Sequence, residues 1–233
     1  MYENDRSIIE TDLNNFAISK NTLDGNAIMS SWFPQIKSQI FISHSHADER
    51  KVITLAGYLY DKFGLKSFID SCIWHYSIDL LKEIDNRFCG NGRSGSYSYE
   101  KRNYSTSHVH MMLSISLMKM MDQTECMLFI DTPNSLNTEE IIDATNSPWI
   151  FAEIAMSQSL RRKTIESHRK RSMREATENF NNIAYKLDTL HLKEITPYIW
   201  KKWNDGFSRE GGGHGLDSLY SILPMEENDE NLF

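Results

Sequence analysis

Three cysteines in 233 residues, Cys72, Cys89 and Cys126, stand too far apart to form a CxxC pair. That spacing argues against a disulfide framework or a zinc knuckle and fits a reducing, cytoplasmic setting. Positive charge is also short: 25 Lys and Arg against 32 Asp and Glu leave a formal net charge of −7, which argues against a dedicated nucleic-acid binder. No apolar run approaches the roughly 18 residues of a membrane span. The opening "MYENDRSIIETDLNNF" is acidic and polar instead of basic then apolar, so a soluble, unexported protein is expected, with no membrane partner. "GNGRSG" and "GGGHG" lack both the Lys-Ser/Thr ending of a phosphate-binding loop and the strand-to-helix setting of a dinucleotide fingerprint, and read as flexible loops. No G-x-S-x-G elbow exists, so Ser43 and Ser45 read as capping or ligand-bonding hydroxyls instead of nucleophiles. The pairs His44/His46 and His108/His110 have no acidic or cysteine companion at a recognised ligand spacing, so no metal centre is expected.

At 40 % hydrophobic, the chain has enough apolar residues for one sizeable core but hardly for two full domains. Residues 1–36 are mostly polar with short apolar patches, and read as an extension lying on the domain or partly disordered. The fold proper starts at "SQIFISHSHADERKVITLAGYLYDKFGLKSFID". Ile40 to Ile42 form a continuous apolar run typical of a strand buried on both faces. Val52, Leu55, Ala56, Leu59 and Phe63 then recur at helical spacing, and Gly64 stops that helix before the strand "LKSFID". A helix "SIDLLKEIDNRF", a Gly/Ser/Asn-rich mobile loop at about 88–106, and a helix from "HVHMMLSISLMKMMDQT" follow, the methionines of the last serving as core filler. "ECMLFIDTPNS" reads as a third buried strand. Beyond Ser159, a basic helical segment at about 160–180 carries seven Lys/Arg against three Glu in "LRRKTIESHRKRSMREATENF". "NNIAYKLDTLHL" reads as a candidate last strand, and "EITPYIWKKW" and "GLDSLYSIL" as short helices before an acidic tail. Alternating strands and helices predict an open, mostly parallel α/β sheet whose ligand site lies at the carboxyl ends of the strands. Ser43, His44, Ser45 and Asp48 fall at the first such end, Asp70 at the second, and Asp131 to Ser135 at the third.

"SPWIFAEIAMSQS" places a carboxylate inside an apolar helical stripe. Ser147 suits the N-cap and Pro148 the first helical position. Trp149 and Glu153 are then i and i+4 on one face. For an arbitrary glutamate the better account is a solvated side chain at the margin of the buried face.

Together, "IFISHSHADE", "GLKSFID" and "CMLFIDTPNS…SPWIFAEIAMS" resemble the strands, loops and Trp-x-x-x-Glu helix of a Toll/interleukin-1 receptor (TIR) domain, over about residues 37–205. The resemblance implies a flavodoxin-like open parallel sheet flanked by helices, here with helical extensions: residues 1–36 before the domain, and a C-terminal helix and acidic tail at 206–233. Many bacterial members cleave the nicotinamide–ribose bond of NAD+, with a catalytic glutamate where Glu153 matches the pattern. NAD+ would be a substrate, with no cofactor or metal needed, because the pyridinium is already an activated leaving group. Ser43 and His44 match the loop that contacts the dinucleotide, with Ser45 beside them, and Asp70 opens the loop after the second strand. Trp149 would shape the pocket or stack on a ring, a packed indole being an equal account of it. Arg50 is the only cation in "SHSHADER" and falls within the helix, which leaves phosphate contacts open.

By the same resemblance, the chain is similar to the TIR component of Thoeris antiphage systems. A nucleotide product would then reach a separate effector, and a phage-derived activator would switch synthesis on. Homo-oligomeric TIR–TIR contacts are also implied, with Trp74 in "DSCIWHYS" as the anchor on an exposed loop or, alternatively, folded into its own core. The rival expectation is a noncatalytic TIR adaptor or a mimic of host signalling.

Overall fold

The structure is a computed structural model that describes residues 12–20, 22–74, 77–92, 96–136, 144–145, 147–160, 163–165, 168, 185–186, 191–208, 211 and 213–224. Its centre is three parallel strands, β3 (Ile40–Ser43), β4 (Ser67–Phe68) and β5 (Cys126–Phe129), in the order β4-β3-β5. β3 pairs Ile40 with Ser67 on one side and Ile40 to Ser43 with Cys126 to Phe129 on the other. Every residue of β3 is buried, as its unbroken apolar run demands in a strand covered on both faces. The mixed α/β architecture, a parallel sheet flanked by helices, agrees with the sequence pattern.

Between β3 and β4 runs α2 (Glu49–Phe63), which buries Val52, Ala56, Leu59 and Phe63. It ends where expected: Gly64 takes φ 69°, a left-handed conformation that glycine adopts without a Cβ clash, and its N–H reaches the Leu59 and Tyr60 carbonyls. A one-turn α3 (Asp70–Ile73) follows β4, then α4 (Ser77–Phe88) and the long α5 (Tyr99–Gln123), which leads into β5. α6 (Pro148–Ser159) follows β5, and α7 (Pro197–Gly206) and α8 (Gly215–Ile222) close the core beside α2. There Phe63 stacks on Trp203 at 4.3 Å, and Trp203 Nε1 donates to the Gly215 carbonyl at 2.9 Å.

Several expectations are corrected. The segment before residue 37, expected to lie on the domain or be partly disordered, packs on it where it is described and contributes to its core. It holds the hairpin β1 (Ala17–Ser19) and β2 (Thr22–Leu23), followed by α1 (Gly25–Trp32). Leu13, Phe16, Ile28, Trp32 and Phe33 all lie in the main hydrophobic core. Those five are each nearly fully buried, and the helical pair Ile28/Trp32 shares one face. The loop expected at 88–106 is shorter, since α5 already begins at Tyr99. "YEKRNYSTS" contains no Gly or Pro, and Asp85 of α4 anchors this first part of α5 by accepting from Arg102 Nε at 2.9 Å and Ser105 Oγ at 2.5 Å. The last strand does not extend the parallel sheet: β7 (Tyr185–Lys186) pairs antiparallel with β6 (Ala144–Thr145) as a separate ribbon. Most of the basic segment at 160–180 and the acidic tail lie outside the described residues.

Candidate functional site

In the order β4-β3-β5, the chain leaves β3 for a strand on one side and later adds β5 on the other. Crossovers that depart in opposite directions leave a crevice at the carboxyl end of the central strand, where open α/β sheets bind ligands. Ser43 is the last residue of β3, and His44 and Ser45 run on from it into that crevice.

α6 supplies the opposite wall. Its start is local: the Ser147 hydroxyl accepts the Ile150 N–H at 3.3 Å and Pro148 occupies the first turn, as the sequence predicts. This start puts Glu153 next to Ile154 and one turn beyond Ile150, all three buried. Glu153 is therefore not a solvated marginal residue; it is 5 % exposed. Ser43 Oγ donates to Glu153 Oε2 at 2.5 Å, joining the end of β3 to the middle of α6. Burial first, and then the negative charge of Asp70, push the Glu153 carboxyl up to about 8, while the Ser43 hydrogen bond acts in the lowering direction.

A cavity of about 300 Å³ opens beside this pair, and His44, Ser45, Asp70, Trp74, Trp149 and Glu153 all line it. With Ser43 bonded to Glu153, seven of the residues singled out from the sequence come together here, whereas Asp48 and Asp131 to Ser135 do not line the cavity. Ser45 also accepts the Ala47 N–H at 3.4 Å, so it caps a 3-10 turn and lines the cavity at once. Trp149 is half-buried and meets His110 of α5 edge-on at 5.6 Å. Burial holds the His110 imidazole below its ordinary range.

Trp74 corrects the expectation of an exposed anchor. It is 3 % exposed, donates Nε1–H to the Pro34 carbonyl at 2.9 Å, and packs edge-on against Phe33 and Phe68 at 5.5 and 4.9 Å. The segment before residue 37 supplies two of those partners, Phe33 and Pro34.

The loop after β3 is fastened from below. The Asp48 carboxylate accepts from Lys51 at 2.7 Å, from Thr132 at 2.5 Å and from Asn134 at 3.1 Å. These bonds, Lys51 foremost, hold the Asp48 carboxyl down at about 2. The polar cluster after β5 therefore clamps the loop after β3 in place. Sequence reasoning missed Leu113 and Leu117 of α5 as cavity wall. Their i, i+4 spacing was visible but indistinguishable from ordinary core.

Two of the other cavities lack comparable chemistry. One of about 690 Å³ lies between β2, α4 and α5, is mostly apolar, and has Glu100 as its sole described carboxylate. Another, of about 260 Å³ beside β5, contains Ser157 Oγ 2.9 Å from His191 Nε2. There the Gln158 amide faces His191 Nδ1 at 3.4 Å and the Ser157 hydroxyl donates to Ile154 O at 2.7 Å. An imidazole that accepts at Nδ1 donates from Nε2, the reverse of what activates a serine. Among the described residues, one acid–imidazole cluster, Glu125, His214 and Asp217, is compact enough to hold an ion. It sits at the amino end of β5, away from the crevice, and His214 Nδ1 is already within 3.4 Å of the Leu216 N–H as a helix cap. No family model, curated protein or solved structure matches the chain.

Proposed function

We propose that the chain is a TIR-type NAD+ glycohydrolase or cyclase that cleaves the nicotinamide–ribose bond at Glu153. The observation that carries this reading is the composition of the crevice: a buried glutamate bonded to Ser43, a second carboxylate at Asp70, an indole at Trp149, and no Lys or Arg among the described lining residues. Two carboxylates beside an aromatic ring attract a cationic aromatic ring, whereas a diphosphate would need donors or cations. The cavity stands at the small end of the about 300–1,000 Å³ usual for ligand sites, which suits the nicotinamide riboside half of the dinucleotide better than the whole.

The raised affinity of Glu153 for its proton supports the same chemistry. Burial and the Asp70 charge favour the neutral carboxyl, which spares a buried charge. A pyridinium entering the cavity supplies the missing positive charge and favours ionisation. As the C1′–N bond breaks, its electron pair passes to the ring nitrogen and positive charge moves to the ribosyl carbon. Glu153, now anionic and fixed by Ser43, stabilises that centre without reorganising. Trp149 flanks the ring, and Ser45 offers a hydroxyl to the ribose edge.

Incubation of the purified protein with NAD+, followed by chromatographic separation, tests the reading. Nicotinamide should appear together with ADP-ribose, a cyclic isomer or another ADP-ribosyl product. A product of this kind would act as a diffusible signal in antiphage defence, read by a separate effector. If no nicotinamide appears with or without lysate from phage-infected cells, the chain is instead a noncatalytic TIR adaptor.

A further inference from the structure

We propose that His44 is the general base of the second half of the reaction, its Nε2 taking the proton from the hydroxyl that attacks the ribosyl carbon. The inference rests on the cleavage reading above and names the acceptor class, water or a sugar hydroxyl. His44 is 8 % exposed and lines the cavity that Glu153 enters. Its Nδ1 faces the Ile42 carbonyl at 3.3 Å. A carbonyl oxygen only accepts, so Nδ1 carries the hydrogen and the lone pair resides on Nε2. Nε2 is buried and has no hydrogen-bond partner among the described residues. A buried acceptor left unmatched is costly, and His44 lines the cavity in which a ligand hydroxyl would match it.

The carboxylates are poorly placed to do this work. Glu153 is bound to Ser43 and must stay anionic while the ribosyl centre is positive; accepting the acceptor's proton would cancel that charge. Asp70 bears on Glu153 through its negative charge, and its protonation would weaken the same field. A neutral imidazole avoids both losses. The step balances: the hydroxyl oxygen donates a lone pair to C1′, the O–H bond breaks with its electrons staying on oxygen, and the proton passes to Nε2 and then to solvent. Nicotinamide leaves as the neutral base.

An acceptor without a proton separates this role from bond cleavage. Wild type and His44→Gln are assayed with NAD+ in the presence of 3-acetylpyridine, whose ring nitrogen attacks C1′ with no proton to lose, and hydrolysis and base exchange are measured in one mixture. Glutamine keeps a polar amide near the position of Nε2 but is not a base. Hydrolysis should fall about 10²-fold or more, the scale of losing a general base, while exchange falls far less. Loss of both reactions to the same degree in a folded variant, or loss of neither, overturns the proposal. A wild type that performs neither reaction overturns the cleavage reading and this inference with it. Should His44→Gln give no cooperative melt, His44→Ala replaces it: free imidazole restores hydrolysis if only the base is missing, and failure to restore it overturns the proposal.

Discussion

A carboxyl that titrates at about 8 gives Glu153 two separable signatures. The first is kinetic. If the free protein must ionise Glu153 to receive a cationic ring, kcat/KM for NAD+ rises with pH and levels off above about 8. The bound pyridinium lowers the same pKa, so kcat rises at lower pH than kcat/KM. Initial rates across pH 5.5–9.5 check both limbs, and kcat/KM flat below neutrality would separate Glu153 ionisation from binding. The second signature is thermodynamic. A carboxyl whose affinity for its proton is raised by folding contributes stability that is fully present below 4.5 and lost as pH rises through about 8. Glu153→Gln removes this titration, so its melting temperature relative to wild type should increase from pH 5 to pH 9. The scale is about 2–4 °C per kcal/mol for a chain of this size. A structurally required carboxylate would give the opposite trend.

Among the elements, those that repeat a clean pattern were legible and those that depend on distant partners were not. β3, α2 with its Gly64 stop, α6 with its Ser147 cap and the strand end carrying Ser43 and His44 all follow from local rules that need no tertiary contact. The burial of Trp74 follows from Phe33, Pro34 and Phe68, whose nearness to residue 74 no local pattern announces. The early start of α5 likewise depends on Asp85 of α4 gripping Arg102 and Ser105. Glu153 itself was legible as a position but not as a buried acid, because periodicity cannot tell a boundary residue from one bonded to the end of β3. Since Trp74 is core and cavity wall together, Trp74→Ala should destabilise by about 3–5 kcal/mol, as large aromatic truncations do. Trp74→Phe, losing mainly the bond to Pro34, should cost about 1 kcal/mol. Urea unfolding of both variants measures the difference, and near-equal midpoints for Trp74→Ala and wild type would place this indole outside the core.

At the scale of the whole molecule, the described parts before and after the central α/β unit share one core. Leu13 and Phe16 near one end and Leu216 and Leu219 near the other belong to the same cluster as β3. The approach of α8 to α2 is especially close: a Cβ on Gly215 would lie 2.9 Å from Phe63 Cβ and 3.0 Å from the Phe63 carbonyl oxygen. Gly215→Ala should therefore lower stability by about 1–3 kcal/mol, the usual cost of overpacking, without changing turnover per folded molecule. Calorimetry should show one transition moving as a unit; a small separate transition would mean that α8 melts independently. No described helix is long and apolar enough to cross a membrane. With Trp74 internal, any assembly between copies would use another surface.

The central claim is that charge on Glu153 drives cleavage of the nicotinamide–ribose bond, and Glu153→Gln tests it with little change of shape. Nicotinamide release from NAD+ should be measured for wild type and Glu153→Gln at pH 8, with both proteins shown to melt cooperatively. The account predicts a loss of about 10²-fold or more in the variant, the scale of removing one preorganised electrostatic group. Nicotinamide release at the wild-type rate from a well-folded Glu153→Gln protein would contradict it.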